Sequence, residues 1–321
     1  MSVVRVGTRG SALALAQTAM FVADLTSAGL TCEIVVVKTD GDVNPTQLVE
    51  LAGQLGGTGI FTSALRDTLL AGTIDLAVHS LKDLPTAEVD GLTLAVVPER
   101  ADPADVLVST HPGGVEGLPA GARVGTGSPR RTVQLLALRP DLVVEPIRGN
   151  VDTRISMVGR DYDAVVLAAA GLARLGLIDV GAVPIPTDMM VPAPGQGALA
   201  VEARTADLGS DWLTVVAALD HRDSRDRVCA ERALLATLDA GCTAPVGALA
   251  RIDPVSGELH LDAAVGPPQR SEIGTAAPAS TTTSGRSAVL RRSIHGPRDS
   301  AAELGAALGR ELLVHPLLEP V

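Results

Sequence analysis

The residues best suited to chemistry cluster in a few short segments. His79-Ser80-Leu81-Lys82-Asp83-Leu84-Pro85 follows an apolar, strand-like run and concentrates an imidazole, an ammonium and a carboxylate. A carboxylate beside Lys82 can face a developing cation or move a proton. An aspartate shortly before a proline is also an ordinary turn-capping residue, so both readings of Asp83 stand at this point. Cys242 lies in Asp239-Ala240-Gly241-Cys242-Thr243-Ala244-Pro245. The glycine before it and the proline just beyond put it on a loop. Cysteine is usually a core residue, so a loop thiol suggests a nucleophile or an attachment point. Cys32 and Cys229 sit in strand-like or helical runs and read as packing residues.

A third set is made of arginines in turns after strand-like segments. They are Arg9 in Gly-Thr-Arg-Gly-Ser, Arg130 and Arg131 in Gly125-Thr126-Gly127-Ser128-Pro129-Arg130-Arg131, Arg148 in Arg148-Gly149-Asn150, and Arg154 one helical turn later. In open α/β sheets ligands bind at strand C-termini. Helix N-termini there present free N–H groups and the positive end of a dipole. A guanidinium adds bidentate pairing to carboxylates, at about 1.5–3 kcal/mol per charged hydrogen bond. The set therefore points to a polyanionic ligand. Gly125-Thr126-Gly127-Ser128 lacks the Gly-Lys-Ser/Thr of a nucleotide P-loop. Gly195-Gln196-Gly197 lacks the third glycine of a dinucleotide fingerprint. No His/Cys cluster has metal-ligand spacing, so no metal is expected.

These segments need elements to hold them. Val3–Val6, a turn, and a helix capped by Ser11 open the chain. Ile34–Val37 reads as a strand, Thr39–Gly59 as a mobile loop, Phe61–Ala71 as a helix and Ile74–Val78 as a strand. This is the alternation of a mostly parallel α/β sheet. After the linker-like stretch 98–103 it restarts: strand Val106–Ser109, helix Ser128–Leu138, strand Leu142–Val144, helix Asn150–Val158 and strand Asp163–Ala168. Pro184, Pro186, Pro192 and Pro194 mark a second break, after which Ala198–Glu202 reads as a strand returning to the first sheet. Two crossings between two lobes make a hinge with a ligand cleft. Asp220–Leu238 reads as a helix that starts a third unit, with antiparallel strands at Val246–Ala250 and Leu259–Val265. Residues 274–287 read as a flexible low-complexity excursion. Ser300 and Glu303 form a capping-box pair for the last helix. The expected division is 1–98 with 198–217, then 103–192, then 220–321.

Composition narrows the class. The chain has 321 residues, 46% hydrophobic but only 1% aromatic, and a formal net charge of −11. That suits neither a phosphate backbone nor base stacking, so no nucleic-acid partner is expected. Lys38 and Lys82 are its lysines; every other basic residue apart from histidine is an arginine. Without a disulfide-like framework, a signal core or an apolar stretch of about 18 residues, a cytoplasmic protein with no membrane partner is expected.

The ordered set of segments resembles the hydroxymethylbilane synthase (porphobilinogen deaminase) family. The matching stretches are Gly7-Thr8-Arg9-Gly10-Ser11, Val78-His79-Ser80-Leu81-Lys82-Asp83-Leu84-Pro85, Ser128-Pro129-Arg130-Arg131, Arg148-Gly149-Asn150-Val151, Ala170-Gly171-Leu172-Ala173-Arg174, Pro194-Gly195-Gln196-Gly197, Ala230-Glu231-Arg232-Ala233 and Gly241-Cys242. The resemblance implies an α/β fold of two type II periplasmic-binding-protein-like lobes joined by a hinge, plus a smaller α+β C-terminal domain. It implies a transferase of tetrapyrrole (heme) biosynthesis, monomeric, that condenses four porphobilinogens with loss of ammonia. The primer would be a dipyrromethane cofactor held by a thioether to Cys242, and water would release hydroxymethylbilane. Asp83 and Lys82 would be catalytic. Arg9, Ser11, Ser80, Thr126, Ser128, Arg130, Arg131, Arg148, Gly149, Asn150, Arg154, Arg174 and Gln196 would bind cofactor and substrate. Hand-over of product to uroporphyrinogen-III synthase is a further expectation. The chain departs from many family members at Thr58 and Ser63, where basic residues are common. The competing reading is a two-lobed anion-binding protein without catalysis.

Overall fold

The computed structural model describes residues 3–37, 59–239, 244–267 and 289–316. Lys38, the segment 39–58, Cys242 and the low-complexity stretch 274–287 lie outside the described residues. The first sheet contains β1 (Val4–Thr8), β2 (Cys32–Val36), β3 (Leu76–Ser80), β4 (Leu92–Val96) and β10 (Leu199–Arg204), in the order β2-β1-β3-β10-β4. The second contains β5 (Asp105–Ser109), β6 (Arg123–Gly125), β7 (Val143–Glu145), β8 (Ala164–Ala168) and β9 (Ala182–Ile185), in the order β7-β6-β8-β5-β9. The two orders are equivalent. In each sheet three strands pair in parallel, and the fourth position holds a reversed strand antiparallel to both neighbours. That reversed strand is the one the chain reaches on crossing from the other lobe: β5 in the second sheet, β10 in the first. These are the two similar α/β lobes that the family resemblance implies, and Ala198–Glu202 does return to the first sheet.

Helices α1 (Ala12–Ser27), α2 (Gly59–Leu70), α3 (Pro129–Leu138), α4 (Val151–Ile155), α5 (Ala169–Arg174) and α6 (Asp211–Ala217) flank the sheets. Ser11 and Ser128 cap α1 and α3 through their hydroxyls, accepting from the N–H groups of Ala14 and Arg131. The C-terminal unit packs α7 (Arg222–Thr237) and α8 (Ala301–Leu313) on one face of a sheet of β11 (Val246–Ile252), β12 (Leu259–Val265) and β13 (Leu290–Gly296). Glycine at 305 lets the two helices touch, because a Cβ there would lie 2.1 Å from the Ala230 carbonyl oxygen.

Several expectations need correction. Pro184 does not end structure; it lies in β9, at the sheet edge, where a missing N–H costs no ladder bond. The strands β6 and β13 and the helix α6 escaped the periodicity reading because they are short or polar; β4, Leu-Thr-Leu-Ala-Val, escaped it although it is neither. Ser300 stands at the start of α8 without making a capping-box hydrogen bond, since a 3₁₀ turn at Arg298–Ser300 leads into the helix. Cys229 is exposed on α7 rather than packed in a core.

The crossovers meet at one buried ion pair. Arg100, in the first crossover, reaches Glu231 of α7 at 2.7 Å, and both side chains are shut away from solvent. The Arg100 Nε–H also donates to the Gln196 carbonyl in the second crossover. The Glu231 carboxylate further accepts from the backbone N–H groups of Gly195 and Ala250. One carboxylate thus joins both crossovers to the C-terminal unit. Its satisfaction is complete enough to offset desolvation only while every donor is present. Glu231→Gln should therefore destabilise the protein by about 3–5 kcal/mol, read as a lowered urea midpoint with the same slope.

Candidate functional site

Helix α3 begins over the ends of β6 and β8, so its first turn projects into the space between the lobes. Arg130 and Arg131 are buried there and share Asp105, the first residue of β5. The Arg130 Nη1 lies 2.7 Å from one Asp105 oxygen, and the Arg131 Nη2 lies 2.7 Å from the other. Burial alone would raise the Asp105 pKa, but the two guanidiniums outweigh it and hold the group well below the usual carboxylate range. Burial lowers the pKa of Arg130, which still has Asp105 to favour its charge. Two cations against one carboxylate leave the cluster net positive.

Gln196 joins this cluster to the other lobe. Its side-chain amide donates to the Asp105 carboxylate at 2.9 Å and to the Pro103 carbonyl at 2.8 Å. Its side-chain Oε1 lies 3.5 Å from the Lys82 Nζ. Burial depresses the Lys82 pKa, with Asp83 acting against the shift. Gly195, just before, adopts φ +73°, and a Cβ there would lie 2.2 Å from Leu81. Only glycine lets the crossover lie against the 81–83 turn.

Two cavities open here. One, of about 270 Å³, lies between the lobes and is lined by Lys82, Asp83, Ser128, Arg130, Arg131, Arg154 and Gln196 among others. The other, of about 80 Å³, is lined by Arg9, Ser11, Gln17, His79, Ser80 and Asp83. Asp83 lines both. Arg154 donates from Nε to the Gly149 carbonyl, and burial followed by the nearby Arg131 lowers its pKa. Thr126 is buried, its hydroxyl accepting from the Ser128 N–H. Gly149 and Asn150 are exposed at the start of α4, as is Arg148. None of these three lines either cavity. Arg174 also stands back from both, donating to the Gly197 carbonyl at 2.7 Å and so tying the second lobe to the crossover. Ser63 is exposed on α2.

Sequence reasoning missed Asp105, Gln17 and Glu202. Gln17 and Ser80 hydrogen-bond across α1 and β3 at 2.9 Å, shaping the smaller cavity. Glu202 of β10 pairs with Arg66 at 2.8 Å and lies 3.1 Å from the His79 Nε2. Glu202 interrupts an apolar strand, and Asp105 opens one while fully buried. That was the available signal, because a carboxylate inside such a run must have a cationic partner.

The site suits a ligand bearing many carboxylates. The Nε of Arg130, which lines the cavity between the lobes, is buried with no hydrogen-bond acceptor among the described residues. The cavity between the lobes has cationic walls and one carboxylate, Asp83, at its edge. No group of His, Cys, Asp or Glu among the described residues could hold a metal.

Comparison with known proteins agrees. Residues 4–211 match the family described as "Porphobilinogen deaminase, dipyromethane cofactor binding domain", and residues 226–314 match "Porphobilinogen deaminase, C-terminal domain". The chain belongs to the porphobilinogen deaminase family. It is 45% identical to the porphobilinogen deaminase of Acidothermus cellulolyticus, over 98% of this chain and 89% of that one. It is 49% identical to that of Leifsonia xyli, over 97% and 92%. A solved periplasmic substrate-binding protein from Coxiella burnetii is similar over 67% of this chain and 91% of its own, at 15% identity and a TM-score of 0.41. The protein is accordingly a transferase of tetrapyrrole biosynthesis. It condenses porphobilinogen on a dipyrromethane cofactor to give hydroxymethylbilane. The non-catalytic anion-binding alternative is set aside. Among the described residues no helix is long and apolar enough to cross a membrane.

The Glu202 carboxyl yields a pH prediction. Burial would raise its pKa, but the adjacent His79 ring and the hydrogen bonds from Arg66 bring it down from 4.5 to about 2. A depressed folded-state pKa stabilises the protein above about pH 4.5, and this is lost as the pH falls towards 2. Glu202→Gln should cost about 2–3 kcal/mol at neutral pH. The gap between variant and parent in urea midpoint should close between about pH 5 and pH 2.5.

Proposed function

We propose that Asp83 is the carboxylate at which each condensation occurs, with Cys242 as the attachment point of the cofactor. The observation that carries this reading is that Asp83 lines both the cavity between the lobes and the smaller one beneath Arg9. A group common to two neighbouring spaces is where a bound chain end and an incoming pyrrole meet. The bound dipyrromethane supplies a free pyrrole α-carbon as nucleophile and primer. Porphobilinogen sits with its acetate and propionate towards Arg9, Ser11 and Ser80. Its aminomethyl group, carried as the ammonium, leaves as neutral ammonia. The cofactor, once bound, would supply the ring that replaces ammonia at that carbon, and the α-hydrogen displaced from that ring would be lost as a proton. Asp83 faces the positive charge that develops at the methylene and accepts the pyrrole N–H, a fixed electrostatic contribution of the kind that dominates many enzymes. Lys82, depressed by burial, donates towards the ligand carboxylates beside Gln196.

Arg130, Arg131 and Arg154, with the Ser128 hydroxyl, hold the acidic arms of the chain already made. Arg148, Gly149 and Asn150 serve the elongating chain from the lobe edge, while Thr126 orients Ser128 and Arg174 steadies the crossover. Tethering turns successive bimolecular couplings into intramolecular ones. Water then releases the linear product. In this reading the enzyme is a cytoplasmic monomer that passes its product to uroporphyrinogen-III synthase. The free thiols of Cys32 and Cys229 are compatible with a reducing compartment.

Asp83→Asn should keep its cofactor mass while turnover falls by about a hundredfold or more. A variant near parental rate would remove Asp83 from the chemistry. Cys242→Ser should show only the bare polypeptide mass and no product. A bound dipyrromethane in that variant would exclude Cys242 as the attachment point.

A further inference from the structure

The 81–83 turn that carries Lys82 and Asp83 is a single turn of 3₁₀ helix. On its amino side the Leu81 N–H donates to the Ala198 carbonyl, which fixes it to the crossover. On its carboxyl side Pro85 has no N–H to donate. Any backbone hydrogen bond that Pro85 makes must be accepted by its carbonyl. Two carbonyls there, those of Leu84 and Pro85, accept from Arg232 at 2.9 Å and 2.9 Å, one from each terminal nitrogen. Arg232 belongs to α7, so the acid-bearing turn of the first lobe is held by the C-terminal unit. One helical turn earlier, Val228 packs against the buried Leu84 in the same small core.

Arg232 does not reach into the site. It lines a separate cavity of about 730 Å³ with Leu84, Thr86, Arg225 and Cys229 among others, and this space shares no lining residue with the two cavities at Asp83. Its guanidinium grips the turn from behind. A planar fork spanning two successive carbonyls fixes orientation as well as position. Helix α7 also carries Glu231, the adjacent residue, whose carboxylate holds the Gly195 N–H. Gly195 packs on Leu81 from the other side.

We infer that Arg232 is a positioning residue for the condensation, holding Leu84 and Pro85 so that Asp83 keeps its direction towards the reacting pyrroles. The inference rests on the assignment of Asp83 above. Arg225, on the same helix, makes a comparable grip elsewhere: it donates to the Leu94 and Ala95 carbonyls, in β4. It is therefore the matched control for simple docking of α7.

The test compares Arg232→Gln, Arg225→Gln, Asp83→Asn and the Arg232→Gln/Asp83→Asn double variant, each as cofactor-loaded enzyme checked by intact mass. Arg232→Gln should lower kcat by about ten- to a hundredfold, the scale of a small misplacement of a reacting group, with KM for porphobilinogen within about threefold. Arg225→Gln should lose as much thermal stability but keep kcat within about twofold. In the Asp83→Asn background Arg232→Gln should lower kcat by less than about threefold further, because the two act as one unit. Parental kcat in Arg232→Gln, an equal loss in Arg225→Gln, or fully multiplying losses in the double variant would each overturn the inference. An Asp83→Asn enzyme at parental rate would instead sink the assignment of Asp83. Where Arg232→Gln does not fold, Arg232→Met is read against the same outcomes.

Discussion

The protein is organised around a carboxylate that water cannot reach. Glu231 is fully buried and answers Arg100, Gly195 and Ala250 at once. An ion removed from solvent is costly unless its partners are held in place. The three segments that supply those partners are therefore fixed relative to one another. Two are the crossovers between the lobes and the third is the first strand of the C-terminal unit. Gln196 follows Gly195 directly and connects Lys82 on one side of the cleft with Asp105 on the other. The geometry of the cleft is thus set from behind, by a contact that no ligand touches.

Within the cleft, charge is arranged rather than merely accumulated. The chain as a whole is acidic, at −11, yet the space between the lobes is cationic. Asp105 neutralises part of Arg130 and Arg131 and orients both, so the surplus positive charge faces the ligand in a defined direction. A guanidinium pinned by a buried carboxylate loses little freedom on binding an anion. In the proposed mechanism Asp83, which lines the same space, is a single negative charge suited to a single developing cation.

Much of this was legible in the sequence. The alternation of short apolar runs with helical spacing located two lobes and the returning strand Ala198–Glu202, because apolar periodicity is imposed by burial itself. The turns bearing Arg9, Lys82, Asp83, Ser128 and Arg130 were recognisable from local residue types and order. What stayed hidden was long-range partnership. Arg130 and Arg131 read equally well as ligand-facing; the residue that restrains them, Asp105, lies about 25 positions earlier, separated by a full strand and loop. Arg232 and Glu231 are neighbours in sequence but serve different segments. Pro184 read as a break because propensity does not reveal which strand is an edge.

The exchange of reversed strands between the lobes constrains how the chain is made. β10 is inserted between β3 and β4, although more than a hundred residues of other structure separate Leu199 from the end of β4. While the ribosome is still adding the second lobe, β3 and β4 have no strand between them, and their facing hydrogen-bonding edges are open. The second lobe has no such gap, since all five of its strands lie in one continuous stretch. It can close as soon as it emerges, whereas the lobe translated first must wait for the one translated second. Nascent chains of this topology therefore carry an exposed, strand-ready edge for much of their synthesis, the state in which aggregation competes with folding.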